Sequence, residues 1–159
     1  MGLPGSLRQL VPIVSLPCLL AVGACLCSAP QIPPDPAPQL RESLAENFLL
    51  KRLAVWQRRL QLGEWQINLV LARPNDLRRK TLGSIKWDSG KKTATIRVQH
   101  PDEYDTSFQA AIADMEFTVV HELLHLEMAS LPRSEASRSE EEVAINRIAA
   151  TMLKLDRGF

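Results

Sequence analysis

Residues 115–126 read Met-Glu-Phe-Thr-Val-Val-His-Glu-Leu-Leu-His-Leu, and His121-Glu122-Leu123-Leu124-His125 within them form the H-E-x-x-H pattern. The flanking residues are apolar nearly all round, which predicts a buried helix running from Thr106 to Met128. Residues four apart lie one above the other on a helix, so both imidazoles point at one site. Two histidines and a glutamate are costly to bury without partners, so chance is a poor explanation of the pattern. Zinc favours nitrogen ligands in a four-coordinate site with one open position, and Glu122 stands beside the pair as a candidate general base.

The rest of the chain restricts what can complete such a site. Cys18, Cys25 and Cys27 all precede residue 28, so the folded part offers no disulfide and no thiolate ligand. The only other histidine, His100, lies upstream beside Pro101 in a turn. The third ligand is therefore a carboxylate. Glu140, Glu141 and Glu142 are the candidates, at the start of a helix predicted over Glu140–Leu155. Two criteria disagree: the apolar stripe Ala144, Ile145, Ile148, Met152, Leu155 favours Glu141. Asn146, one turn past Glu142, favours Glu142, because an amide there can orient a ligand.

Working outward, the remaining elements give an α+β domain. Leu44, Phe48, Leu49, Leu53, Val55, Trp56 and Leu60 have helical spacing over Leu40–Leu62, with Gly63 as the stop. Trp65–Ala72 alternates as a half-buried strand. Leu82–Trp87 and Thr93–Val98 read as a hairpin around Asp88-Ser89-Gly90-Lys91. The expected order is an N-terminal helix, a small antiparallel or mixed sheet, the buried HExxH helix, and a C-terminal helix carrying the third ligand.

Three segments follow from composition. Residues 1–29 join Arg8 to an apolar stretch closed by small residues, the order of a secretory signal peptide. Pro12 and Pro17 argue against a membrane span there. Val22-Gly23-Ala24-Cys25 resembles a bacterial lipobox, which implies a lipid on Cys25 and a membrane-anchored lipoprotein. The expected location is thus periplasmic or membrane-anchored; the alternative is a mis-assigned start before a cytoplasmic protein. Residues 30–39 hold Pro30, Pro33, Pro34, Pro36 and Pro38 and read as a semi-rigid tether. Residues 40–159 form the domain. The net charge of +1 excludes a nucleic-acid surface as a partner site.

From about Leu40 onward the chain resembles a minimal zincin of the gluzincin type, like the small HExxH proteins of bacteria and phages. In gluzincins the third ligand is a Glu on the following helix, with a polar residue one turn further on. Glu142-Val143-Ala144-Ile145-Asn146 matches, with Asn in place of the Asp of larger peptidases, and this selects Glu142 over Glu141. The resemblance implies a zinc metallopeptidase with His121, His125 and Glu142 as metal ligands and Glu122 as the catalytic base. It also implies a peptide or protein substrate, and an edge strand over the metal, for which Thr93–Val98 is the candidate. Glu141 is then expected to be dispensable. The larger enzymes also carry a His or Tyr for the oxyanion, and none maps here; Tyr104 reads as a surface aromatic. The alternative function is a zinc-binding regulatory or interaction domain with little turnover. A peptide deformylase, which also carries HExxH, needs a Cys ligand that this domain lacks.

Overall fold

A computed structural model describes residues 35–77, 81–131 and 138–158. The leader and Cys25 lie outside the described residues, as does the tether before residue 35. The fold is α+β, with three helices and one mixed three-stranded sheet.

The apolar run around the histidines makes the central helix, α2 (Phe108–Glu127), which buries Ile112, Met115, Val119, Val120, Leu123 and Leu126 on nearly all sides. It starts at Ser107, whose side chain accepts from the Ala110 amide at 3.3 Å. Asp35 adds a second acceptor: both of its carboxylate oxygens lie 3.1 Å from the Phe108 amide. Part of the proline-rich stretch is therefore packed on the domain.

Helix α1 (Pro38–Arg59) packs along α2 through Ala45, Leu49, Leu53 and Trp56. It begins at Pro38 rather than Leu40, since proline suits the first helical turn, where its missing N–H costs nothing. It ends at Arg59, short of the expected Leu62. Gln61, not Gly63, takes the left-handed conformation (φ 57°), and the Gln57 side-chain amide ties down the Leu62 and Trp65 carbonyls at 3.0 and 2.7 Å.

Strands β1 (Gln66–Ala72), β2 (Gly83–Asp88) and β3 (Thr93–Gln99) pair in the order β1-β3-β2. The hairpin is closed by Asp88, whose carboxylate accepts from the Gly90 and Lys91 amides at 3.0 and 3.1 Å. β2 and β3 are antiparallel, whereas β1 joins β3 in parallel, with Leu69 and Ile85 both opposite Ile96. Ala94, Ile96 and Val98 alternate inward toward the helices. Thr93–Val98 is therefore the central strand and not an edge. The connection from β1 skips one strand position to reach β2, which has β3 as its one neighbour among the described strands.

Helix α3 (Arg138–Asp156) covers α2 from the other side. Its buried stripe is Ile145, Ala149 and Leu153, at steps of four. The sequence stripe was drawn one position off: Ile148 and Leu155 are 41% and 70% exposed.

A polar network joins the three helices at the far end of α3. Glu116, buried on α2, accepts from Trp56 Nε1 at 3.0 Å, from Arg52, and from Arg157 Nη2 at 3.3 Å. Arg52 also pairs with Asp156, which holds Arg59 at 2.6 Å. No helix among the described residues is long and apolar enough to cross a membrane.

Candidate metal centre

Helix α2 presents His121 and His125 one turn apart, and their Nε2 atoms lie 3.0 Å from each other. The first turn of α3 brings Glu142 onto both. Its Oε2 is 3.3 Å from His121 Nε2, and its Oε1 is 3.2 Å from His125 Nε2. These three side chains are brought together as the sequence predicts.

The backs of the rings fix what the fronts present. His121 Nδ1 lies 3.0 Å from Asn146 Oδ1, and His125 Nδ1 lies 3.3 Å from a Glu141 carboxylate oxygen. With oxygen atoms behind both rings, the tautomer that suits them carries its proton on Nδ1. Each Nε2 is then a bare lone pair. Two such nitrogens and a carboxylate facing one another repel unless a cation lies among them. Zinc at 2.0–2.1 Å from each ligand, in tetrahedral geometry, separates ligand atoms by about 3.3–3.4 Å. The two nitrogens are 3.0 Å apart and each has one Glu142 oxygen at 3.3 or 3.2 Å, near that spacing, so the residues can hold the metal. Burial pushes the His121 pKa down, as does the neighbouring His125, against the pull of Glu142 and Asn146; a neutral imidazole is the ligating form.

Glu122 stays out of this triad. It is buried on the α2 face that meets β2, and burial, reinforced by the charge of Glu142, pushes its pKa up to about 7. A carboxyl poised near neutrality is suited to both taking and giving a proton. Room for it is made by Gly83. A Cβ there would stand 2.3 Å from Thr118 Cγ2, 2.9 Å from the Arg97 carbonyl oxygen and 3.2 Å from Glu122 Oε1.

The triad opens into a cleft of about 1110 Å³. Its walls are β2 from Gly83 to Trp87, the α2 residues Phe117 to His125, and the start of α3. The strand over the site is thus β2, in place of the expected Thr93–Val98.

Two residues escaped the sequence reading, and a third, Glu141, was weighed there only as a metal ligand. Glu141 is the carboxylate behind His125, and its signal was present: steps of four from Ile145, Ala149 and Leu153 run back to it. Gly83 carried the usual sign of close approach, a glycine at a strand. Arg138 lines the cleft, with no sequence feature to single it out. Tyr104 is no surface aromatic, because its hydroxyl is buried and its pKa raised by that burial; it does not line the cleft. His100 is buried as well and serves the turn, its Nδ1 accepting from the Asp102 amide at 3.3 Å. Compared with protein-family models, curated proteins and solved structures, the chain matches none.

Proposed function

We propose that the chain is a zinc-dependent metallopeptidase, its domain a minimal zincin of the gluzincin type. The observation that carries the reading is the convergence of His121 Nε2, His125 Nε2 and the Glu142 carboxylate at 3.0–3.3 Å, with both Nδ1 atoms turned to oxygen acceptors. His121, His125 and Glu142 hold the metal. Bound zinc supplies Lewis acidity toward a carbonyl and an acidified water. Glu122 takes the proton from the attacking water and returns it to the leaving amine, leaving a carboxylic acid and an amine as products. Extended peptide pairs along β2, the end strand of the described sheet, where main-chain bonds tolerate varied side chains. The leader supports export, with Cys25 as a lipid anchor.

The second reading is a zinc-binding regulatory domain with little turnover. One observation favours it: the described cleft residues include no tyrosine and no histidine beyond the two ligands. Zinc content by elemental analysis, together with cleavage of a quenched peptide library by the full chain, tests both. Stoichiometric zinc with cleavage abolished in Glu122→Gln supports the peptidase; stoichiometric zinc without cleavage supports the regulatory domain; no zinc refutes both.

A further inference from the structure

Arg138 stands four residues before Glu142 and eight before Asn146, so the three share one face of α3 at steps of about 6 Å. Glu142 and Asn146 both touch His121, which makes Arg138 the next position outward on the row facing the triad. It lines the cleft. Arg97 of β3 and Lys86 of β2 border the same space from the other face of the sheet, since they alternate with Ile96, Val98, Ile85 and Trp87, which face the helices.

These three cations make no hydrogen bond or ion pair within the described chain. Arg58 and Arg147 are likewise without such a partner, while Arg41 meets Asp35, Arg59 meets Asp156, Arg73 meets Glu103 and Arg157 meets Glu116. Nor do the acids of the cleft serve as partners of the three. Glu141 is engaged with His125, Glu142 with both imidazoles, and Glu122 sits against Gly83. Asp76 is the remaining acid of the lining, and it is exposed on the β1–β2 connection.

A guanidinium is a planar fork that matches a carboxylate in two parallel bonds. We infer that the cleft selects peptides by a carboxylate, which pairs with Arg138 beside the triad. The carboxylate can be an acidic side chain or a free C-terminus. This rests on the metallopeptidase reading for the fate of the peptide, though not for its binding.

The test uses the zinc-loaded full chain carrying Glu122→Gln, which blocks turnover, and anisotropy of four labelled peptides on one neutral backbone. One is neutral and C-terminally amidated, one carries a single internal Glu, one a single internal Lys, and one a free C-terminal carboxylate. At least one carboxylate peptide should bind about tenfold tighter than the neutral and Lys peptides, with the gap narrowing as salt rises. The Glu and C-terminal arms separate the two carboxylate sources. Adding Arg138→Gln should erase the preference while zinc content and melting temperature stay unchanged. Arg147→Gln, on α3 but outside the cleft, should preserve it. Arg97→Gln, on the other face of the sheet, should preserve it as well. Equal binding of all four peptides, no binding of any, or a preference that survives Arg138→Gln would overturn the inference. A preference lost in Arg138→Gln, in a protein whose unmutated form never cleaves, would leave the inference standing and sink the peptidase.

Discussion

His125 Nδ1 lies 3.3 Å from a Glu141 carboxylate oxygen, on the side of the ring away from His121 and Glu142. A carboxylate behind a ligating imidazole fixes its tautomer and raises its basicity. Glu141 is thus part of the site, where the sequence made it dispensable. Glu141→Ala should weaken zinc by about ten- to a hundredfold in a competition titration with a chromophoric chelator. Affinity equal to that of the unmutated protein would mean the contact does not tune the ligand.

Glu142 faces the metal position itself, so its loss should be of a different order. Glu142→Ala leaves two histidines, too few to hold zinc firmly. Zinc at a hundredfold excess over its Kd should stabilise the unmutated domain by about 2.7 kcal/mol, seen as a rise in melting temperature. Glu142→Ala and His121→Ala should show no such rise. If Glu142→Ala responds fully, the third ligand lies elsewhere.

Glu122 approaches β2 and contributes no ligand atom to the triad. Glu122→Gln should therefore keep stoichiometric zinc while peptide cleavage falls by at least about a hundredfold, since an amide cannot take the proton from water. Loss of zinc in this variant would show that the carboxylate is a ligand and not the base.

Helical periodicity made the histidine helix legible, because two ring ligands at steps of four are a local property. The α3 ligand was less so. Glu141 and Glu142 are adjacent, and a stripe drawn one position off rotates a helix by roughly 100°. Both criteria in fact describe real contacts, since the stripe leads to Glu141 behind His125 and the Asn146 row leads to Glu142 in front. The strand order was not legible at all. Whether β1 joins the hairpin beside β2 or beside β3 depends on a crossover, and no local pattern in Trp65–Ala72 encodes it.

Gly83 is where that strand order meets the chemistry. Two of the atoms an added Cβ would strike belong to the backbone carbonyl of Arg97 and to the tightly packed Thr118, so rotamer changes alone cannot relieve the clash. Gly83→Ala should lower stability by about 1–3 kcal/mol in denaturant unfolding. Because Glu122 Oε1 is the third neighbour, cleavage should drop further than the loss of folded protein explains. A variant of unaltered stability and rate would show that β2 can move off α2 without cost.

The last prediction concerns the other end of α3, where Glu116, Arg52 and Asp156 tie it to α1 and α2. Glu116→Ala strands the Trp56 N–H and removes a partner from both Arg52 and Arg157. The cost should be about 3 kcal/mol, the lower end for a buried pair, because Arg52 keeps Asp156. Asp156 adds an acid dependence. The hydrogen bond from Arg59 is the largest cause holding its carboxyl below the ordinary 3.8, and Arg52 adds to it against the opposing cost of burial. A group depressed in the folded state binds more protons when unfolded, so its contribution is complete above the unfolded value. It is lost as the pH falls from near 4 through the folded value. Urea unfolding from pH 6 down to pH 2.5 should show that decline, and Asp156→Asn should flatten it while lowering stability at pH 6. An identical acid limb in the two proteins would remove Asp156 from the account of acid unfolding.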